Sequence, residues 1–256
     1  MVGFLLRKTF YDLWDNLFRI VLVNMGFIAI LAVPVLLPEL FNNTAFTYVI
    51  RIAGIFCCSV YLAAAALSVK AISDYGSFGF ADFFGKLKEA WPAGLVMGLM
   101  IFILLALVLI VMPFYFSINS PLGLILAAIV FWTLVMALLA FQFFFAVHVR
   151  LDKKLIKVFK KCVILFFDNP GFAVFSLLHN IIVMSISLML AFLFPGPAGI
   201  ILFLDEALRL RLLKYDWLEA NPGADRRKIP WDALLIEERE KTGTRSLKNF
   251  IFPWKD

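Results

Sequence analysis

Hydrophobic and polar positions follow one pattern that occurs three times along the chain. A short amphipathic run with lysines leads to an aromatic residue and a turn or capping residue, and about twenty apolar residues then end at a proline. The clearest copy covers 83–113, where Trp91 and Pro92 precede an uncharged run over 93–112. At about 1.5 Å per residue this run is about 30 Å long, which matches the hydrocarbon thickness of a bilayer. The pattern therefore predicts membrane-spanning helices.

The three copies are evenly spaced. The aromatic residues that open them are 77 and 76 residues apart, and the prolines that close them are 79 and 82 apart. The opening residues are Trp14, Trp91 and Phe167, and the closing residues are Pro34, Pro113 and Pro195. This spacing predicts a threefold internal repeat of helix hairpins, over about 4–72, 80–150 and 151–213. The alternative is that any bundle of hairpins shows interfacial aromatics and boundary prolines at similar intervals.

The predicted fold is all-α, with six transmembrane helices that form three hairpins about a pseudo-threefold axis. We expect these helices over about 20–37, 45–72, 93–112, 121–149, 171–194 and 198–213. The sixth is the weakest candidate, because Asp205, Glu206, Arg209 and Arg211 lie in it. A transmembrane domain over 1–215 is then followed by a cytoplasmic tail over 216–256. That tail contains a predicted helix over about 231–241, which Gly243 ends.

Composition supports the membrane assignment. With 63% hydrophobic residues and a mean hydropathy of +0.93, the 256-residue chain cannot bury its apolar surface in a water-soluble core. The net charge of +6 would suggest nucleic acid in a soluble domain. Here all Lys and Arg except Arg51 fall on one side of the six predicted helices, so the orientation rule explains the charge without a nucleic-acid partner. Both termini are predicted to be cytoplasmic.

Motifs of soluble active sites do not occur in the sequence. It has no Gly-rich phosphate loop, HExxH, CxxC, EF-hand loop or GxSxG, and it has only two histidines. Cys57, Cys58 and Cys162 have neither disulfide nor metal-site spacing and are interpreted as small apolar fillers. We therefore expect no enzymatic activity, no cofactor and no metal site.

Polar residues within the predicted helices are the remaining candidates for a site: Asn24, Arg51, His179, Asn180, Asp205 and Glu206. Counting about 1.5 Å per residue from the predicted helix ends places them near the middle of the membrane. A charge there is costly, so we expect these groups to face the interior and to pair, with Arg51 contacting Asp205 or Glu206. One interpretation is a solute or proton path with His179 and the acids as titrating groups. The other is a structural ion pair, with Asn24 and Asn180 as interhelical hydrogen-bond donors.

A basic amphipathic helix is predicted over 151–167. Its apolar residues fall on one face and its lysines, Lys153, Lys157, Lys160 and Lys161, fall on the other. We expect it to lie along the cytoplasmic headgroups or to pack under the bundle. The lysines are either a solvated face that obeys the orientation rule or a face that recognises specific lipids.

Three segments together resemble the YesL-like family of bacterial membrane proteins, whose domain has no assigned function. They are the first helix with Asn24 and Pro34, the DFFGKLKEAW run over 82–91, and the basic segment that ends in FFDNPG at Gly171. The resemblance covers roughly 4–213 and supplies no binding or catalytic residues. It implies a multi-pass plasma-membrane protein with a role beside carbohydrate ABC transporters.

Two hypotheses follow for the function. In the first, the protein is an accessory or scaffold subunit that binds the bilayer and other ABC transporter subunits, or a second copy of itself, through its cytoplasmic helices and tail. In the second, it is a small transporter or channel that uses the polar cluster.

Overall fold

The computed structural model describes residues 1–41, 43–226 and 228–243, and over these ranges the chain is helical and contains no strand. The α-helices are α1 Val2–Asp15, α2 Leu17–Leu36, α3 Thr44–Ser73, α4 Phe80–Ala106, α5 Met112–Ser117, α6 Pro121–Phe141, α7 Phe144–Arg150, α8 Leu155–Asp168, α9 Pro170–Met189, α10 Gly196–Ala220, α11 Trp231–Leu234 and α12 Ile236–Thr242. A 3₁₀ turn over Leu37–Leu40 extends α2, and a π-helical turn over Leu107–Val111 joins α4 to α5.

Five of these helical stretches are long and apolar enough to cross a membrane, within the described ranges: Leu17–Leu40, Thr44–Ser73, Phe80–Ser117, Pro121–Arg150 and Pro170–Met189. They support a multi-pass, all-α membrane protein. The sixth predicted helix is the first part of α10, which is not among the five because it carries buried charges. The helix continues to Ala220, so the predicted boundary at 215 falls inside it.

The recurring sequence unit takes two forms in the structure. In the first and third copies, Asn16 and Asn169 separate the amphipathic helix from the apolar one. In the second copy, α4 runs without a break through Pro92. A proline removes one backbone hydrogen bond from a helix without requiring that the helix end, and here the neighbouring turns continue.

Both described ends of the chain lie at one end of the bundle, which we call the terminal end. Arg7 on α1 donates from Nη2 to the carbonyl oxygen of Gly243, over 2.7 Å. Gly243 has a φ of +76°, which glycine adopts without strain, and the predicted tail helix that ends there is confirmed as α11 and α12. The opposite end, called the far end, contains residues 37–41 and 43–44 and the connection 117–121.

Close packing between α3 and α4 depends on small residues. Ala63, Ala64, Ala65 and Ala66 of α3 are buried. A Cβ added at Gly94 of α4 would lie 2.4 Å from the Cα of Val60, so the two backbones approach as closely as glycine permits. Small residues of this kind allow helices to associate where lipid provides no hydrophobic driving force.

The turn between α9 and α10 is apolar and exposed. Residues 188–195 read LMLAFLFP, and Met189 is 87% exposed. Asn24 of α2 is fully buried and donates to the carbonyl oxygens of Leu193 (3.0 Å) and Pro195 (2.8 Å), while its Oδ1 accepts from the amide of Ala198 (3.0 Å). Asn24 lies seven residues, or about 10 Å, beyond the start of α2 and about 18 Å before Leu36. The α9–α10 hairpin therefore stops well short of the far end.

Candidate functional site: a buried ionic network at the terminal end

Helices α1, α3 and α7 meet α10 around its two acids, Asp205 and Glu206. α10 packs against α1, α2, α3, α7 and α9, and its middle lies where α3 and α7 end at Ser73 and Arg150. Asp205 and Glu206 are 2% and 0% exposed. Carboxylates at such positions must be paired or protonated, because burial of an isolated charge is very costly.

Lys8 of α1 is the partner of Glu206. The lysine is 0% exposed, and its Nζ lies 3.1 Å from Glu206 Oε1 and 3.2 Å from the carbonyl oxygen of Ser73. Nζ also donates to Asp12, one turn later on α1, and the hydroxyl of Thr9 donates to Glu206 Oε2. Lys8 lies over the ring of Tyr75, 4.3 Å from its centroid. The amphipathic helix α1 is thereby attached to α10 and to the end of α3.

Arg150, the last residue of α7, is the partner of Asp205. It donates from Nε to Asp205 Oδ1 (2.8 Å) and from Nη2 to Asp205 Oδ2, which is a bidentate pair. The same Nη2 reaches the hydroxyl of Ser73 (2.8 Å) and Oδ1 of Asp74 (3.0 Å). One guanidinium therefore joins α7, α10 and the end of α3.

Arg209 extends the network to the tail. It donates from Nη2 to Glu238 Oε1 on α12, over 2.7 Å, and lies 3.3 Å from Asp74. The hydroxyl of Tyr75 donates to Glu238 Oε2 (2.8 Å) and lies 3.3 Å from the hydroxyl of Thr242. Glu238 is 5% exposed, so the tail helix is packed against the bundle and is not a free extension.

The network contains more acids than bases. Its cations are Lys8, Arg150 and Arg209, and its acids are Asp12, Asp74, Asp205, Glu206 and Glu238. Three positive and five negative groups would give an excess of two negative charges if all were ionised. Throughout the described part of the chain, no group of three or more His, Cys, Asp or Glu is arranged to hold a metal. The network thus ties together α1, α3, α7, α10 and α12.

A second polar cluster lies where α8 meets α9. Tyr215 donates to Asp168 Oδ2 (2.7 Å), Lys214 Nζ lies 3.2 Å from the same oxygen, and Lys214 also donates to Asn169 Oδ1 (3.0 Å). Burial acts to raise the pKa of Asp168, but the hydrogen bonds from Tyr215 and Lys214 outweigh it, so the pKa lies below its ordinary value. Arg211 stacks over the ring of Phe172, 4.0 Å from its centroid. These contacts fix the boundary between α8 and α9 to the later part of α10.

The predicted contact between Arg51 and Asp205 or Glu206 is wrong. Arg51 lies 22 residues from Ser73 along α3, or about 33 Å, whereas both acids pair beside Ser73. The acids lie at the terminal end because α10 starts beside Asn24 and not at the far surface. Arg51 instead borders a cavity at the far end, together with Glu39.

The other predicted polar residues are also separated. His179 stacks on Phe203 of α10, with 3.7 Å between ring centroids, and Asn180 donates to Gln142 Oε1 over 3.3 Å. Nδ1 of His179 and Oδ1 of Asn180 are buried and have no hydrogen-bond partner within the described ranges. The predicted cluster is therefore divided among the ionic network, the hairpin turn at Asn24, the α6–α9 contact and the far end.

The predicted basic helix is α8, and its lysines are not equivalent. Lys153, just before the helix, pairs with Glu89 over 2.7 Å, and Lys161 pairs with Asp152 over 3.2 Å. Lys157 and Lys160 are exposed. Val158, Cys162 and Leu165 of the same helix are buried against the bundle.

Lys8 and Arg150 were missed as site residues. Lys8 occurs in an amphipathic lead-in rich in both charges, and Arg150 ends an apolar run as an ordinary interfacial cation would. The acid pair of α10 is the feature of the sequence that indicates such cations, since two buried carboxylates require positive groups nearby. The sequence does not show which of its many cations approach them.

Comparison of the chain with models of protein families, with curated proteins and with solved structures finds no match. The function is therefore inferred from the geometry of the described residues.

Proposed function

We propose that this protein is an accessory or scaffold subunit of the bacterial plasma membrane, with both termini in the cytoplasm, which binds a membrane transport complex through its terminal end. The observation that carries the proposal is the outer surface of α8. Ile156 and Phe167 are 85% and 62% exposed there, and Val163 is 38% exposed. We call these three residues the exposed stripe. These residues are seven and four positions apart, so they line one side of the helix.

The exposed stripe is distinct from the face that α8 packs on the bundle. Lys157 and Lys160 lie beside it and are exposed. Apolar side chains next to exposed cations fit a partner surface that has a hydrophobic groove edged by acids. The ionic network supports this interpretation, because it fixes the neighbouring elements and thus presents α8 on a rigid base. A second copy of the chain is the alternative partner.

The partner class rests on the resemblance to the YesL-like family, which implies a place beside carbohydrate ABC transporters. We further propose that three hairpins are arranged about a pseudo-threefold axis. The return helices α3, α7 and α10 contact one another pairwise, which such an arrangement requires. In this proposal the terminal end faces the cytoplasm, and the protein has no catalytic activity of its own.

The test is purification of a tagged chain from native membranes in mild detergent, followed by identification of bound proteins by mass spectrometry. We expect ABC transporter subunits with the wild-type chain and not with the variant Ile156→Asp/Phe167→Asp. The matched control is Ile236→Asp, since Ile236 is a 52% exposed apolar residue on the tail at the same end. Recovery of the same transporter subunits with the double variant, or of none with the wild-type chain, would reject the proposal.

A transporter or channel is the second candidate. It is favoured by the orphaned polar atoms of His179 and Asn180, together with the buried hydroxyl of Ser176, which also has no partner in the described structure. Groups of this kind mark where a water or a solute can bind. In proteoliposomes with an internal pH-sensitive dye, this function predicts a proton flux that His179→Ala/Asn180→Ala reduces. Equal flux in protein-free vesicles would reject it.

A further inference from the structure

Two adjoining cavities of opposite character meet at Glu39 and Arg51. The larger, of about 540 Å³, lies between α2, α3 and α4, is open on one side, and is lined mainly by apolar residues such as Phe27, Leu31, Ile55 and Ile101. The smaller, of about 310 Å³, is lined by polar residues that include Asn43, Thr44, Thr47 and Tyr48. Glu39 and Arg51 line both cavities. Together the two cavities have the shape of a site for an amphiphile, with the polar cavity for its head and the apolar cavity for its tail.

The depth of the site matches one leaflet of a bilayer. Arg51 is about 33 Å along α3 from Ser73 and the ionic network, and the hydrocarbon layer is about 30 Å thick. With the network at one headgroup level, Arg51 therefore lies at the other. The lining on α3 continues from Arg51 to Leu62, eleven residues or about 16 Å, which is half the hydrocarbon thickness. The apolar cavity is thus as deep as one acyl layer.

The two charges are available to a ligand. Glu39 and Arg51 are both exposed, and neither has an ion pair or a side-chain hydrogen bond within the described part of the chain. An arginine binds phosphate through planar, paired N–H donors, and a carboxylate accepts hydrogen bonds from a primary ammonium. One positive and one negative group at the same mouth complement a zwitterionic headgroup better than an anionic one.

We propose that this pair of cavities binds one phospholipid of the far leaflet whose zwitterionic headgroup ends in a primary ammonium. Arg51 binds its phosphate, Glu39 accepts hydrogen bonds from its ammonium, and an acyl chain fills the apolar cavity between α2, α3 and α4. Gly54 forms part of the wall, where a Cβ would lie 2.5 Å from Cβ of Pro34, so the groove keeps its shape only with glycine there.

The test is native mass spectrometry of the full chain released from detergent and titrated separately with dioleoyl phosphatidylethanolamine, phosphatidylcholine and phosphatidylglycerol. We expect one molecule of phosphatidylethanolamine to bind about tenfold more tightly than phosphatidylcholine, whose methylated ammonium cannot donate to Glu39. Glu39→Gln should remove this preference. Arg51→Gln should weaken binding of both lipids about tenfold, and Arg51→Lys, which keeps the charge but not the paired donors, should weaken it less.

The apolar cavity is tested with a matched pair at Cys58, which lines it. Cys58→Trp should fill the cavity and abolish binding, whereas Cys58→Ala should leave binding intact. Lys153→Gln removes an exposed cation at the terminal end and should have no effect. The proposal is overturned if Arg51→Gln and Cys58→Trp bind lipid as the wild-type chain does, since that means nonspecific annular lipid. It is equally overturned if phosphatidylglycerol binds as tightly as phosphatidylethanolamine and Glu39→Gln has no effect.

Discussion

Lys8 is buried with acceptors on three sides: the carboxylates of Glu206 and Asp12 and the carbonyl oxygen of Ser73. When one member of such a pair is removed, the remaining charge is buried without compensation. We expect Lys8→Met to lower the free energy of unfolding by about 3–5 kcal/mol. Chemical denaturation in mixed micelles measures this change.

The pair Lys153 and Glu89 is a matched control, because its side chains are 83% and 51% exposed. Lys153→Met should change stability little, since exposed ion pairs are screened by water. The double variant Lys8→Met/Glu206→Gln should be more stable than the sum of the two single effects indicates, because neither charge is then left alone. Additive effects would show that Lys8 and Glu206 are not energetically coupled.

Asp168 gives a pH-dependent prediction. Its pKa is depressed in the folded protein, so it contributes stability that is present above the unfolded pKa of about 3.9 and is lost as pH falls through the folded value. Asp168→Asn should therefore lower the thermal midpoint at pH 6 to 7, and the difference from wild type should shrink below about pH 4. Thermal unfolding in detergent from pH 3 to 7 checks this. Asp216→Asn, an exposed acid nearby, is the control, and a difference that does not vary with pH would contradict the argument.

At the scale of elements, Asn24 of α2 holds the turn that starts α10. Asn24→Ala removes three hydrogen bonds and takes its acceptor from the amide of the buried Ala198, at a cost of about 1–3 kcal/mol. We expect faster hydrogen exchange over 190–199 and a lower thermal midpoint. Asn180→Ala, which removes a single longer bond of 3.3 Å, should leave exchange in this segment unchanged. Unchanged exchange in Asn24→Ala would mean that the turn does not depend on α2.

Sequence patterns predicted some elements closely and others poorly. α3 was expected over 45–72 and is Thr44–Ser73, because an uninterrupted apolar run of membrane length has few alternatives. α9 was expected to reach 194 and ends at Met189, where Ala191 and Phe192 take left-handed backbone conformations. Apolarity continues through this turn, so hydropathy carries no sign of it. The hydrogen bonds from Asn24 that stabilise it are tertiary.

Sequence patterns likewise identify only part of the candidate site. Asp205 and Glu206 can be identified from the sequence, because a carboxylate within an apolar run is costly unless it is paired. Their partners cannot, because the pairing depends on the depth at which α10 begins. Arg51 is their natural partner only if every helix starts at a membrane surface. The start of α10 beside Asn24 places the acids next to Arg150 and Lys8 instead.

At the scale of the whole molecule, charge is concentrated at two levels. The ionic network lies at the terminal end, and Glu39 and Arg51 lie about 33 Å away along α3. The α9–α10 turn lies between these levels, beside Asn24. Its side chains are apolar, and its amides at Leu190, Ala191, Phe192 and Leu193 donate within the turn, while Ser187 accepts from Gly196. Backbone at membrane depth must have its polar groups satisfied, and these contacts satisfy the amides of the turn.

We therefore predict that the α9–α10 hairpin enters the membrane from the terminal end and turns inside it. In a chain whose three cysteines are replaced by alanine, single cysteines at Asn119 and at the exposed Lys241 should react with a membrane-impermeant maleimide from opposite sides of sealed vesicles. A cysteine at Met189, although 87% exposed on the protein surface, should react from neither side, because its surroundings are lipid. It should react with a membrane-permeant, apolar maleimide, which shows that the residue is exposed to lipid and not buried in protein. Labelling of Met189→Cys from the same side as Asn119→Cys would mean that the hairpin crosses the whole membrane.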